Sequence, residues 1–184
     1  MLSGDQLNAY EALSFLRRNG GTLTLRIEAL EQMRRHRQLG ARDREACGVL
    51  LGRFFDESQR VIVEAVTEPQ PADQRTRTRF VRSNMHQALV EQVFEASAGA
   101  CVYTGEWHTH PEPTPWPSSR DRVAWFEKLM DSRIIVDTLF FIIVGTRDLA
   151  VWEGDTATRT IQQLTYVTPH EPTDETVNEG TSHA

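Results

Sequence analysis

The chain predicts one mixed α/β domain, and three observations carry that expectation. Neighbouring apolar runs are joined by short turn-forming stretches, as in hairpins. Segments with helical spacing interrupt those runs without a regular β-α-β alternation, so a doubly wound parallel sheet is not expected. At 184 residues, with 39% hydrophobic and 25% charged residues, the chain can bury one proper core but is short for two.

Each element has its own signature. "ALSFLRRNGGTLTLR" reads as two short strands around an Asn-Gly-Gly turn. "IEALEQMRRHRQ" spaces Ile27, Leu30 and Met33 as one helical face, and Gly40 with "ARDR" ends that helix. "ACGVLLGRFF" and "RVIVEAVTEP" are strands joined by the polar "DESQ", a hairpin. "PQPADQRTRT" is a loop and "NMHQALVEQVFEASAG" a helix. "ACVYTGEWHTH" is a strand, "SSRDRVAWFEKLMDS" a helix, and "TLFFIIVG", "LAVWEG" and "TIQQLTYV" supply further strands. The domain spans residues 1–168. Residues 169–184 are polar and carry Glu171, Asp174, Glu175 and Glu179 with no Lys or Arg, so a disordered acidic tail is expected there.

Several function classes are excluded at this level. The net charge of −6 sits mostly in the tail, and neither it nor the remainder suggests a binder of a nucleic-acid backbone. The longest apolar run, Leu139 to Val144, is far too short to span a membrane. Residues 1–20 carry charges throughout and no secretory core, and Cys47 and Cys101 form no CxxC pair. A cytoplasmic location is expected, with no membrane and no nucleic-acid partner.

The chemistry lies in "GEWHTHPEPTPWPSSRD". Alternate residues of a strand share a face, so His108 and His110 point the same way and can hold one divalent ion. Asp121, in the first turn of the next helix, brings an oxygen ligand from a second element. Two nitrogens and one carboxylate leave the fourth tetrahedral position to water, the pattern of a catalytic zinc. Each part also has a plain structural reading. A lone His-x-His decorates many surfaces. Ser118 and Asp121 match a capping box, and Pro111, Pro113, Pro115 and Pro117 make a stiff connector. The cap and the connector are compatible with the metal reading, since they would fix where Asp121 stands. A proton carrier is also needed. Glu106, Glu112 and Glu45 are the candidates, and strand parity with the histidines favours Glu106.

Glu45 ahead of "CGVLLG", followed by "HTHPEPTPWPSSRD", resembles the JAMM (MPN+) zinc metalloprotease family. Its signature is a distant Glu, then His-x-His-Pro, six residues, and Ser-x-x-Asp. Glu45, His108, His110, Pro111, Ser118 and Asp121 match it, and the resemblance covers roughly residues 21–168. It implies a largely antiparallel, curved β-sheet flanked by helices. It also implies Zn2+ on His108, His110 and Asp121, Glu45 as general base and then general acid, and Ser118 as a hydroxyl donor to the oxyanion.

"HRQ", "RTRTRFVRS" and "GEWHTHPE…PSSRD" with Trp125 further resemble the bacterial JAMM isopeptidases of antiphage operons, in CBASS and in bacterial ubiquitin-like systems. That implies cleavage of a ubiquitin-like modifier, or of a conjugated cGAS-like partner, from its target. It also implies activating-enzyme-like and conjugating-enzyme-like operon partners. Cys47 stands where such proteins often carry glycine, and it is expected to pack as a small apolar residue. The alternatives are a housekeeping peptidase that processes sulfur-carrier-type proteins or cleaves a small-molecule amide, and a non-catalytic MPN scaffold.

Arg75, Arg77, Arg79 and Arg82 nearly alternate in "RTRTRFVR". They read either as a solvated strand edge or as a dock for a modifier's flexible C-terminal tail, with Arg75, Arg77 and Arg79 as substrate contacts. Trp116 is a loop anchor or a further substrate contact. Trp107, Trp125 and Cys101 are expected in the core, and His36, His86, His170 and His183 receive no role.

Overall fold

The strands form because β-branched and aromatic residues crowd the runs named above, and their burial shows which faces they cover. The computed structural model describes residues 12–167; the stretch 169–184, with His170 and His183, lies outside them. In chain order the elements are β1 (Ala12–Leu16), β2 (Thr22–Arg26), α1 (Ile27–Arg34), β3 (Cys47–Phe55) and β4 (Arg60–Val66). Then come β5 (Gln74–Arg75), β6 (Phe80–Val81), α2 (Met85–Ala96), β7 (Val102–Thr109) and α3 (Ser119–Leu129). The last are β8 (Thr138–Val144), β9 (Leu149–Asp155), β10 (Thr160–Gln163) and β11 (Thr165–Val167).

Nine strands make one sheet in the order β10-β9-β8-β7-β3-β4-β2-β1-β11, in which only β2/β4 and β7/β8 run parallel. The largely antiparallel, curved sheet expected above is therefore the observed one. Its curvature follows from connectivity. Only Leu164 separates β10 from β11, yet these two strands end opposite edges of the sheet. The sheet must curl until its edges come together, and the Leu164 amide, donating to Val151 O at 2.8 Å, keeps the chain on β9 up to the point where it passes to the other edge. Arg17, just beyond β1, reaches over the same gap to Glu153 on β9 at 2.9 Å, with both side chains buried. Bulges at Leu50/Leu51 against β7 and at Leu51/Gly52 against β4 supply the bend.

β8 explains its own unbroken apolar run. Phe140, Ile142 and Val144 face the core inside the curl, with α1 residues Ala29, Leu30 and Met33. Leu139, Phe141 and Ile143 face a second core under α3, with Trp125 and Leu129. A strand covered on both faces needs no polar alternation. A third cluster, Val49, Leu51 and Cys101, lies under α2. Trp107, Trp125, Cys47 and Cys101 are all buried as expected, and neither cysteine is in a disulfide.

The structure corrects three details of the element reading. The segment read as a loop contains β5, which pairs with β6 just beyond it in a hairpin closed by Thr76 N–H donating to Arg79 O at 2.8 Å. "TIQQLTYV" is two strands, because the chain crosses the seam at Leu164. The first helix ends at Arg34 and not near Gln38, and Gln38 is buried with its side chain committed elsewhere.

Candidate active site

Strand β7 and the start of α3 build the centre of the site. β7 lies between β3 and β8, with His108 opposite Cys47 on one side and Ile143 on the other. His110 follows the strand end, held extended by its N–H to Val144 O at 3.0 Å. The two imidazoles share a face as strand parity requires, and their Nε2 atoms are 3.1 Å apart. Phe80 and Trp125 flank the His108 ring, at centroid distances of 5.5 and 6.4 Å.

The proline loop then turns the chain onto α3. It is not merely stiff but docked. Thr146 N–H donates to Glu112 O at 2.8 Å, Asp148 N–H donates to Pro113 O at 2.9 Å, and Thr114 Oγ1 donates to Asp148 Oδ2 at 2.7 Å. Gly145 permits that approach, since a Cβ there would lie 2.6 Å from Glu112 O. The capping box read from Ser118 and Asp121 forms: Ser118 Oγ accepts from Asp121 N–H, and Asp121 Oδ2 accepts from Ser118 N–H at 2.7 Å. Cap and site are one feature, because the same carboxylate straddles the histidines. Asp121 Oδ1 is 3.5 Å from His108 Nε2, and Oδ2 is 3.4 Å from His110 Nε2.

These separations suit a shared ion. Ligand atoms about 2.0–2.1 Å from a tetrahedral zinc stand about 3.3–3.4 Å from one another. The imidazole nitrogens are 3.1 Å apart, and one Asp121 oxygen lies 3.5 Å from His108 and the other 3.4 Å from His110, all close to that edge. Glu45 also comes within 4.8 Å of both histidines, so two carboxylates meet the imidazole pair.

Electrostatics separates the two. Burial pushes Glu45 up to a pKa of about 7, with His110 opposing and the Asp121 charge adding to the rise. Burial also works against charge on Asp121, but hydrogen bonds from His108 and His110 hold its pKa well below the usual carboxylate range. Asp121 is thus a permanent anion, and Glu45 can change protonation near neutrality. Burial lowers the His108 pKa, which favours the neutral, metal-binding imidazole.

Glu106, the carboxylate favoured by spacing, is committed elsewhere. Its Oε1 accepts from the Arg82 guanidinium and from Tyr103 Oη at 3.2 Å, and Lys128 Nζ lies 3.5 Å away. Burial would raise its pKa, but Arg82 and Lys128 overcome this and lower it. Arg82 also donates to Gly48 O at 3.2 Å, so this cluster joins β3, β7 and α3 beneath the histidines.

Glu45 precedes β3 and is placed by neighbours distant in sequence. Thr109, between the two histidines, points to the opposite side. Its Oγ1 accepts from Ala46 N–H at 2.9 Å and donates to Gln38 Oε1 at 3.0 Å. Gln38 in turn donates to Arg77 O at 2.7 Å. Thr109 and Gln38 were missed by the sequence reading; the signals were a Thr inside a buried strand and the Gln of "HRQ".

A cleft of about 270 Å3 opens over this centre, lined by Glu45, His110, Ser118, Asp121, Arg79 and Phe80 among others. Arg120 spans its mouth by donating to Thr78 O at 3.2 Å. Arg77 and Arg79 are exposed at the rim. Arg75 is turned inward and donates to Glu45 O at 2.7 Å. Trp116 is half exposed, with its ring edge-on to Trp152 at 6.0 Å, so it is an anchored surface aromatic. His86 is buried in a chain of hydrogen bonds from Asp73 (2.9 Å) to Thr67 (2.7 Å), and His36 pairs with Glu68 at 2.9 Å. No helix among the described residues is long and apolar enough to cross a membrane.

Residues 27–160 match the family described as prokaryotic homologs of the JAB domain. A protein of Vibrio cholerae serotype O1 named CD-NTase/cGAS isopeptidase is 38% identical over 120 residues, 65% of this chain and 72% of that protein. Proteins of the same name from Escherichia coli and Pseudomonas aeruginosa are 32% and 37% identical. They cover 74% and 66% of this chain and 83% and 76% of their own lengths. The solution structure of a Desulfitobacterium hafniense protein matches the fold with a TM-score of 0.54. It is 22% identical and covers 77% of this chain and 88% of that one.

Proposed function

The chain belongs to the family of prokaryotic JAB-domain homologues, and from that premise we propose that it is a zinc-dependent isopeptidase. Its substrate is a ubiquitin-like modifier, or a cGAS-like nucleotidyltransferase, joined through a flexible C-terminal tail to a target, and its setting is bacterial antiphage defence. The observation that carries the reading is the meeting of His108, His110 and Asp121 at tetrahedral spacing beside a carboxylate, Glu45, whose pKa is near 7. The names of the three relatives favour a protein conjugate over a sulfur-carrier precursor. The intact donor set argues against a scaffold.

In this reading His108, His110 and Asp121 hold the zinc ion. When bound, zinc supplies Lewis-acid polarisation of the scissile carbonyl and acidifies the attacking water. Glu45 accepts the proton of that water, as a base with a pKa near the operating pH should. The departing lysine amine has a free pKa of about 10.4, so it must leave protonated, and Glu45 returns the proton. Ser118 Oγ only accepts in the cap, so its O–H is left to donate to the carbonyl oxygen as charge develops. Arg77 and Arg79 at the rim, and the exposed Trp116 of the proline loop, are the remaining candidates for gripping the tail.

The test uses a folded reporter joined through a flexible tail ending in Gly to a lysine side chain, beside a copy with bulky residues in the tail. Cleavage of the Gly-ended probe alone is expected, and equal cleavage of both would remove the tail-reading assignment. Glu45→Gln should retain zinc and lose roughly 10²- to 10⁴-fold in turnover, the usual share of acid–base catalysis. If Glu106→Gln abolishes turnover while Glu45→Gln does not, the base is misassigned.

A further inference from the structure

Among the arginines of the β5–β6 hairpin, one has a different job from its neighbours. Arg77 and Arg79 are exposed, whereas Arg75 is half-buried. Arg75 Nε donates to Glu45 O at 2.7 Å, and its Nη2 donates to Arg44 O at 3.3 Å. Glu45 N–H donates to Thr76 O at 2.7 Å. Both backbone polar groups of Glu45 are therefore taken by two consecutive hairpin residues. The hairpin is itself tied down, through Gln38 to Arg77 O, Arg77 to Gly40 O and Arg120 to Thr78 O.

From this juxtaposition we infer that Arg75 is a positioning residue for Glu45 and not a contact for the tail; the inference rests on the role proposed above for Glu45. Glu45 lies in no helix or strand of the main sheet, since β3 begins at Cys47. On one side its backbone is steadied by Ala46, whose N–H and O bond Thr109. On the other, the Arg75 fork caps the carbonyls of residues 44 and 45. A side chain that must carry a proton between two reacting atoms needs a backbone that does not swing. A fork binding two consecutive carbonyls gives that, and a lysine cannot reproduce its planar geometry. The arrangement divides the hairpin by function: residues 75 and 76 set the base, and the exposed arginines at 77 and 79 face the substrate.

Arg75→Met and Arg75→Lys, with Arg79→Ala as a comparison, test this on the Gly-ended probe with zinc content checked. For Arg75→Met the expected result is a drop in kcat of about 10- to 100-fold, the scale on which a small misplacement of a reacting group acts. KM should stay within about twofold of its original value by the same reasoning, since binding is not involved. Arg75→Lys should fall between, and zinc content should not change. Arg79→Ala, whose side chain takes no part in those ties, should show the opposite split, with raised KM and nearly unchanged kcat. A second readout needs no turnover: hydrogen exchange at the Glu45 amide should speed up in Arg75→Met while exchange in β7 stays slow. Unchanged kcat, a rise confined to KM, or unchanged exchange at Glu45 would each overturn the inference. None of those outcomes touches the functional reading, which fails separately if Glu45→Gln itself retains turnover.

Discussion

The two halves of the site are held in different ways. The corner formed by β7 and α3 carries His108, His110 and Asp121 on regular secondary structure, between β3 and β8 and over two apolar cores. The roof, residues 37–46 with the β5–β6 hairpin, carries Glu45 and the rim arginines. It is held by side chains bonded to backbone carbonyls and by single cross-links. In the proposed reading these three are metal ligands, which need a fixed mutual distance, and a strand and a capped helix supply it. The proposed substrate contacts must meet a variable chain, and an irregular segment suits that role, while Glu45 in the same segment is pinned through its backbone by Arg75 and its neighbour Ala46 by Thr109.

Removing a ligand should break the corner most severely. Purified protein is expected to hold about one zinc per chain, the stoichiometry of a single three-ligand site. His108→Ala, His110→Ala or Asp121→Ala should each lower that content and abolish cleavage. Full zinc retention by the His108/His110 double variant, measured by elemental analysis, would sink the metal assignment.

The next effect lies beneath the corner. Glu106→Ala leaves Arg82 and Lys128 facing one another without their shared anion. Breaking a buried pair from one side costs about 3 kcal/mol, which urea unfolding would read as a lower midpoint. A change below about 1 kcal/mol, typical of exposed pairs, would mean that the cluster does not brace the corner.

The roof has its own anchor, in Asp73. Burial raises its pKa, but hydrogen bonds from His86 and from the Ser83 and Gln70 amides bring it down to about 2, from an ordinary 3.8. A carboxylate with a depressed folded-state pKa stabilises the fold above its unfolded pKa, and that stability is lost as pH falls through the folded value. The difference corresponds to about 2 kcal/mol at neutral pH by linkage. Asp73→Asn should therefore be less stable than the parent at pH 7, with the gap closing between about pH 4 and pH 2, where the parent's own carboxylate protonates. A gap that persists below pH 2 would assign the effect to shape and not to charge.

The smallest effect belongs to the rim. Glu substitutions at Arg77 and Arg79 should raise KM roughly three- to tenfold, as befits exposed charges, and the penalty should shrink in high salt. Zinc content should be unaffected. A salt-independent loss of kcat would show that the roof is as rigidly coupled to the chemistry as the corner.

Which parts were legible in sequence follows from the same contrast. The corner is local. A two-residue strand period places His108 beside His110, and a four-residue capping box places Asp121, so both could be read from a short stretch. The double-faced run of β8 was legible as a strand for the same reason. Strand parity favours Glu106 as a proton carrier, but the folded chain pairs that carboxylate with Arg82, 24 positions away. Only the resemblance to a known family pointed to Glu45. Its location depends on Thr109, 63 positions from Ala46, and on Arg75, 30 positions from Glu45 itself. The sequence by itself determined which residues could bind a metal, because that requires only short-range geometry. The tertiary structure alone decided which carboxylate is paired with an arginine and which is raised by burial, which arginine faces inward, and that the sheet curls to join its edges. Those outcomes depend on which distant charges and backbone groups meet after the chain has folded, and burial there turns a modest pairing into a large shift in protonation.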